Sequence, residues 1–178
     1  MRKLIYHVAS TVDGFIARED DSYDCFPLNP SDEHITDYLA SLASYGVILM
    51  GRRTYEPALK AGVTDPYPHL ETYVFSRSMK ESPNPKVKLI SEDAPNVIRR
   101  LKEQEGKPIY LCGGGEFAST LFAEGLIDEV LLKLNPLLLG AGKPLCPRLP
   151  GTVNLQLLST KVYSTSVVLL RYAVTRSS

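Results

Sequence analysis

Short apolar segments of strand character alternate with amphipathic helical segments over the first two thirds of the 178-residue chain. Strands are predicted at residues 4–9, 47–50, 71–76, 86–90, 109–112 and 129–134. A short segment at residues 15–17 follows the first strand and is predicted to run back along it. Helices are predicted from Ser31 or Asp32 to about Tyr45, and over residues 54–60, 94–105 and 116–123. This alternation is typical of an α/β fold whose largely parallel sheet carries helices on both faces. Two late segments, 155–163 and 167–174, predict an antiparallel hairpin that makes the sheet mixed. We expect one domain over residues 1–178.

Composition excludes several classes of function. The 20 basic and 20 acidic residues give a formal net charge of zero, which lacks the basic surface of a nucleic-acid-binding protein. No apolar run approaches the ~20 residues that a membrane span requires. The three cysteines, Cys25, Cys112 and Cys146, show neither disulfide nor metal-site spacing, which indicates a reducing compartment. We therefore expect a cytoplasmic protein with no metal site, no nucleic-acid partner and no membrane partner.

The segment with the most chemical content is a strand that runs directly into three glycines, Gly113 to Gly115, and then into a helix. Glycines allow close backbone approach, and the N–H groups that open a helix suit a diphosphate. The spacing is not the G-x-G-x-x-G fingerprint of dinucleotide-binding folds. On the glycines alone, a phosphate site and a tight turn without a ligand have equal weight.

Two further strands end in groups that suit phosphate. The second predicted strand delivers Gly51, Arg52, Arg53 and Thr54, and the third ends in residues 76–78, a serine, an arginine and a serine. Taken alone, the arginine pair is better explained by surface ion pairs, and residues 76–78 are better explained by an ordinary polar turn. However, ligands of open α/β sheets bind beyond the carboxyl ends of the strands, where such groups converge. Their recurrence on several strands favours a binding site.

These motifs resemble the dihydrofolate-reductase-like superfamily, and within it the bacterial group related to the reductase domain of the riboflavin-biosynthesis deaminase/reductase. The matching segments follow the family order and span nearly the whole chain. They are residues 10–17 (STVDGFIA), 49–56 (LMGRRTYE), 74–78 (VFSRS), 113–116 (GGGE), 126–129 (LIDE) and 136–144.

The resemblance implies a three-layer reductase fold and NADPH as the cofactor. It places Ala9, Ile16 and Ala17 along the nicotinamide, and Gly51, Arg52, Arg53 and Thr54 at the diphosphate and the 2′-phosphate. Ser76, Arg77 and Ser78 would flank the adenosine ribose phosphate, and specificity for the phosphorylated cofactor would rest on Arg52 and Arg77. Gly113, Gly114 and Gly115 would approach the middle of the cofactor through a cis Gly–Gly peptide. Glu116 and Phe117 complete the predicted cofactor-binding set.

The substrate side departs from true dihydrofolate reductases, which carry a carboxylate on the first helix. Counting back from Gly51, the equivalent position falls at or near Ile35, and the chain has no tryptophan. Folate is therefore not favoured as the natural substrate. Asp13 and Glu33 are weak candidates for the proton donor, and each also fits a structural role, in a turn and at a helix start respectively.

Three further expectations concern side chains away from these motifs. The apolar spacing of Ile35, Leu39 and Leu42 predicts one buried face for the first helix. His7 is expected in the core or at a sheet edge, and His34 at the surface.

The primary hypothesis is a reductase that transfers a hydride from NADPH to a C=N or C=O bond of a small heterocycle, pterin/folate-like or ribosylaminopyrimidine-like. The alternative is a nucleotide-binding regulatory or sensor module without turnover. A phosphate-transferring P-loop enzyme is disfavoured because G-x-x-x-x-G-K-[ST] is absent. The late hairpin and residues 137–139 are expected to support a homodimer, since proteins of the resembled family are often dimers, and the alternative is core packing within a monomer.

Overall fold

The fold is an eight-stranded sheet with helices on both faces, seen in a computed structural model that describes residues 1–175. The strands are β1 Leu4–Thr11, β2 Phe15–Ala17, β3 Val47–Gly51, β4 Glu71–Phe75, β5 Val87–Ile90, β6 Ile109–Gly113, β7 Glu129–Asn135, β8 Lys143–Pro144, β9 Asn154–Val162 and β10 Val168–Thr175. The helices are α1 Glu33–Ser41, α2 Arg52–Lys60, α3 Ala94–Glu103 and α4 Gly115–Ala123, with a 3₁₀ turn at Leu42–Ser44.

The sheet has the order β5-β4-β3-β6-β1-β7-β10-β9. The strands from β5 to β7 are parallel, and β10 and β9 are antiparallel additions at one edge. Strands β2 and β8 form a separate small sheet, of which the sequence predicted only β2. The predicted α/β fold, with a mixed and mostly parallel sheet and a late antiparallel hairpin, is confirmed.

Residue alternation along β1 divides the core into two layers. Leu4, Tyr6 and Val8 pack in a cluster with residues of α3 and α4. Ile5 belongs to a second cluster, which includes Leu42 of the 3₁₀ turn and buried side chains of β3 and β6. His7 lies on the same side of β1 as Ile5 and is only 5% exposed, which confirms the expected core position.

The first helix differs most from its prediction. Its α-helical part ends at Ser41 and continues as a 3₁₀ turn, and Leu39, expected on the buried face, is 57% exposed. The reason is that α1 borders a large cavity, so Leu39 lines open space and does not pack in the core. His34, expected at the surface, is 1% exposed because the β9–β10 turn covers it: its Nδ1 lies 3.2 Å from Thr165 Oγ1.

Two negative findings apply to residues 1–175. No helix in this range has the length and apolarity needed to cross a membrane. Nor does this range contain a group of three or more histidine, cysteine, aspartate or glutamate side chains arranged to hold a metal ion.

Candidate active site

A cavity of about 1110 Å³ opens beyond the carboxyl ends of the parallel strands. It is lined by the ends of β3, β4 and β6, by the middle of β1 and by the loops that follow them. Every residue predicted to bind the cofactor lines this one cavity, namely Ala9, Ile16, Ala17, Gly51, Arg52, Arg53, Thr54, Ser76, Arg77, Ser78, Gly113, Gly114, Gly115, Glu116 and Phe117. The strand ends therefore converge as expected, and the contacts of these residues with a cofactor stay a prediction.

Two helices begin side by side at this cavity. Helix α2 follows β3, α4 follows β6, and these two strands are neighbours in the sheet. Their N-cap residues are Gly51 and Gly114, so no side chain caps either helix. The first backbone N–H groups of a helix have no intrahelical partner and carry a partial positive charge. The pair of helix starts is thus suited to an anionic group with several oxygens.

The glycine segment allows this close approach. The Gly113–Gly114 peptide is cis, as the resemblance implied, and Gly113 has a φ of +139°, which side-chain-bearing residues rarely adopt. At Gly115, a Cβ atom would overlap the carbonyl oxygen of Pro144 in β8. Glycine at this position lets the start of α4 pack directly against β8.

Four arginines, Arg52, Arg53, Arg77 and Arg148, line the same cavity. The Arg52 side chain pairs with Glu56 one turn later in α2, which is the alternative that the sequence left open for it. Arg148 lies 3.8 Å from Glu116. Arg53 and Arg77 form no ion pair with a carboxylate of the described chain, so their charges are available to a ligand. The sequence analysis missed Arg148, which lies in an irregular loop after β8 where no strand or helix pattern marks it.

An aromatic group forms another part of the lining. We call it the aromatic pocket, and it consists of His7, Tyr38, Tyr67, Tyr110 and Cys112. The Tyr38 hydroxyl lies 3.3 Å from that of Tyr67 and 3.2 Å from that of Tyr110. The His7 ring centre lies 5.4 Å from that of Tyr38 and 5.5 Å from that of Tyr110. The result is a wall of rings with a line of hydroxyl groups across it.

The groups of the aromatic pocket are neutral at physiological pH. Burial raises the pKa of Tyr38, Tyr67 and Tyr110 above the ordinary value for a phenol. Burial, with a smaller contribution from the charge of Lys133, lowers the pKa of His7 to about 4. These side chains can therefore donate and accept hydrogen bonds, but they carry no charge.

The sequence analysis missed the aromatic pocket as a functional group. Its members come from β1, α1, β6 and the segment before β4, and only their shared sheet face brings them together. The alternation of His7 with Ala9 on β1, and of Tyr110 with Cys112 on β6, was the available signal, since both pairs line the cavity.

Lys133 is the one buried cation beside the aromatic pocket among residues 1–175. It lies on β7, opposite Ala9 of β1 in the strand register, and lines the cavity while only 8% exposed. The sequence showed it only as an interruption of an apolar run.

The two candidate proton donors lie outside the cavity lining. The Asp13 carboxylate accepts hydrogen bonds from the Thr11 hydroxyl (2.6 Å) and from the backbone N–H groups of Gly140 (2.7 Å) and Leu139 (3.0 Å). The bonds from Thr11 and Gly140 lower the pKa of Asp13 to about 2, so it holds no proton at neutral pH. Its place in the structure is to tie the turn after β1 to the loop after β7.

Glu33 points to the hairpin, where it pairs with Lys161 of β9 at 2.8 Å. The residues of α1 that do line the cavity are Ile35, Tyr38 and Leu39. The position expected to correspond to the folate-binding carboxylate is thus apolar. The cavity's own carboxylates, Asp21 and Glu116, each lie within 4 Å of a cationic side chain.

Comparison of the sequence with known families shows a match to the RibD C-terminal domain over residues 2–169. The uncharacterized protein YwjB of Bacillus subtilis (strain 168) is 31% identical over 170 residues, which cover 94% of this chain and 96% of YwjB. A second uncharacterized protein of that organism, YyaP, is 30% identical over 182 residues, covering 96% of this chain and 94% of YyaP.

Solved structures show the same architecture. A candidate riboflavin biosynthesis protein from Shewanella sp. PV-4 is 26% identical and superposes with a TM-score of 0.83, covering 99% of this chain and 100% of that one. The deaminase/reductase of Thermotoga maritima gives a TM-score of 0.72 at 15% identity, over 98% of this chain and 57% of that one. Dihydrofolate reductase from Enterococcus faecalis, in complex with NADP(H), gives 0.71 at 14% identity, over 98% and 97%.

The family match covers nearly the whole chain, and two relatives are at least 30% identical over nearly all of their length. The chain therefore belongs to the RibD C-terminal domain family, and it shares its fold with dihydrofolate reductase.

Proposed function

We propose that this protein is an NADPH-dependent reductase of a small heterocyclic substrate. The observation that carries the proposal is the pair of uncapped helix starts, α2 and α4, which open onto one cavity beside four arginines. The comparisons support it, because the Thermotoga protein is named as a reductase and the Enterococcus protein is a reductase in complex with NADP(H). The function rests on the site, since a fold alone does not fix an activity.

The residues of the cavity fit a phosphorylated dinucleotide. The first turns of α2 and α4 would hold the diphosphate, with Thr54 beside Gly113 and Gly114. Arg77 and Arg53 would bind the 2′-phosphate, because neither has a carboxylate partner in the described chain. Ala9, Ile16 and Ala17 would lie along the nicotinamide. A bound reduced nicotinamide supplies a hydride, and the protein positions the acceptor against it.

The proposed substrate lies against the aromatic pocket. The rings of Tyr38, Tyr110 and His7 provide flat apolar surface, and their polar atoms provide hydrogen bonds of fixed direction. A small heterocycle with a reducible C=N or C=O bond matches both features. We also propose a cytoplasmic location, because Cys25, Cys112 and Cys146 form no disulfide and reducing compartments preserve free thiols.

The test is a fluorescence titration of the protein with NADPH and with NADH. We expect NADPH to bind, and the Arg77→Ala variant to bind it about 10-fold or more weakly, since a charge-assisted bond contributes ~1.5–3 kcal/mol. NADH binding should change little. Arg100→Ala, which removes an exposed arginine of α3, is the matched control. Failure of the wild-type protein to bind NADPH would refute the proposal.

Turnover separates the reductase from a sensor module. Dihydrofolate, dihydropterins and pyrimidinones are offered in turn while NADPH consumption is followed. Consumption with any of them supports the enzyme. NADPH binding without consumption across a broad heterocycle panel favours the sensor.

A further inference from the structure

Lys133 is a buried lysine without an anionic partner. It is 8% exposed, and no side-chain oxygen in residues 1–175 accepts a hydrogen bond from its ammonium group. Its charge acts on the buried ring of His7, which is neutral. The Lys133 ammonium nitrogen is not among the buried side-chain atoms that lack a hydrogen-bond partner, so it reaches the open cavity that the side chain lines. A positive charge held there without a carboxylate partner in residues 1–175 can bind a negative or strongly polar group from outside the chain.

The position of Lys133 relates it to the reacting bond. It lies opposite Ala9 in the β1–β7 register, and Ala9 is a residue that we place along the nicotinamide. The aromatic pocket that we assign to the substrate begins at His7, two residues earlier on β1 and on the same sheet face. The lysine thus borders both the proposed hydride donor and the proposed acceptor.

The sign of this charge discriminates between the two kinds of acceptor that the proposed function allows. Hydride addition to a C=O bond places negative charge on the oxygen, which a neighbouring ammonium group stabilises. Reduction of a C=N bond is easiest when the nitrogen is protonated, and an adjacent ammonium group opposes that positive charge. On the α1 side of the cavity, where a carboxylate would stabilise such a cation, the chain has Ile35.

We infer that Lys133 binds the oxygen of the bond that is reduced, so that the substrate is a carbonyl compound and not an imine. This inference rests on the proposed function and names the substrate class of the same site.

The step balances without a further reactant. The hydride brings two electrons and forms the new C–H bond, and the π pair of the C=O bond moves to oxygen. The Lys133 ammonium gives a proton to that oxygen, which completes the alcohol, and water entering the open cavity reprotonates the amine. Burial lowers the pKa of Lys133, which makes its ammonium group a better acid than an exposed lysine.

The test compares two ligands of the same shape, benzoate and benzamide, by calorimetric titration of the wild-type protein and of Lys133→Met. Benzoate presents an anionic oxygen and benzamide a neutral one. We expect the wild-type protein to bind benzoate about 10-fold or more tightly than benzamide, and Lys133→Met to lose this preference. Lys133→Arg should restore part of it, because it returns the charge.

The control variant is Lys143→Met, which removes another lysine of the cavity lining, one that lies 3.7 Å from Asp21. It should keep the preference for benzoate. Equal affinity for the two ligands in the wild-type protein, or an unchanged preference in Lys133→Met, would overturn the inference, and so would the absence of binding by both.

NADPH titration of the same samples keeps the two proposals distinguishable. Lys133→Met should bind NADPH as the wild-type protein does. If NADPH binds but benzoate shows no preference, the inference about Lys133 is wrong and the proposed function stands. If benzoate is preferred but NADPH does not bind, Lys133 is an anion-binding residue and the proposed function is wrong.

Discussion

His7 should make the protein lose stability on mild acidification. Its ring is 5% exposed and lies between the rings of Tyr38, Tyr45 and Tyr110. Burial, and then the charge of Lys133, holds its pKa at about 4, compared with 6.5 for an unperturbed histidine. The unfolded chain therefore takes up a proton near pH 6.5, whereas the folded protein does not do so until about pH 4.

The sign and the size follow from proton linkage. Between these two pKa values the unfolded state binds more protons, so the free energy of unfolding falls as the pH falls. The full stability is present above pH 6.5. The slope is about 1.36 kcal/mol per pH unit, which gives a loss of about 3 kcal/mol by pH 4. Small domains have only about 5–15 kcal/mol in total, so this loss is readily measured.

Urea unfolding at pH 7 and pH 4.5 tests this prediction in the wild-type protein and in His7→Gln, which cannot titrate. We expect the wild-type protein to lose about 2–3 kcal/mol more than His7→Gln over this range. The other titrating groups cancel in the comparison. His69→Gln, which alters an exposed histidine, should behave as the wild-type protein. Parallel losses in wild-type and His7→Gln would show that His7 is not held neutral by the fold.

Three further predictions concern the start of α4, the turn after β1 and the edge strand β9. Gly115→Ala should destabilise the protein by ~1–3 kcal/mol in urea unfolding and weaken NADPH binding, because the added methyl group overlaps the Pro144 carbonyl oxygen. The control variant Gly151→Ala, which adds a methyl group in open space, should change neither quantity. Asp13→Asn should lower the melting temperature at pH 7 and not at pH 2. The pKa of Asp13 is about 2 in the folded protein and 3.8 in the unfolded chain, so its carboxylate stabilises the folded state at pH values above 3.8, and this stabilisation is lost as the pH falls to about 2. We propose that two copies associate through the edge strand β9, where Leu157 is 52% exposed. Light scattering should then show a dimer for the wild-type protein and a monomer for Leu157→Lys. A monomeric wild-type protein would refute this proposal.

Much of the fold was predictable because the relevant signals are local. The parallel strands β3 and β6 are continuous buried runs, and each is followed within a residue or two by the start of a helix. Period and turn residues therefore indicated the strands, the helices and the edge of the sheet where a ligand binds. The exposed strand β9 was also recognisable, although the pairing of β2 with the two-residue β8 was not.

The phosphate-binding part of the cavity was predictable for a similar reason. The arginines and glycines at residues 51–54, 76–78 and 113–117 follow their strands directly in the sequence, so the ends of the parallel strands bring them together. Arg148 was not predicted as a cavity residue, because it reaches the cavity on a long irregular segment and not at the end of a strand.

The substrate part was not predictable, because it depends on packing between distant elements. Tyr38 and Tyr67 come from α1 and from a loop, and only the folded chain brings their hydroxyl groups together near Tyr110. His34 illustrates the same limit: it looked exposed on α1, and the hairpin that buries it lies 131 residues further along the chain. A role for Lys133 could be inferred only after the structure had shown the aromatic pocket beside it.

A crystal structure of the protein grown with NADPH tests the central claim most directly. The account predicts density for the diphosphate between the first turns of α2 and α4, the 2′-phosphate beside Arg77, and the nicotinamide against Ala9 with Lys133 at its border. A nucleotide bound elsewhere on the molecule, or a cavity that stays empty at millimolar NADPH, would contradict the account.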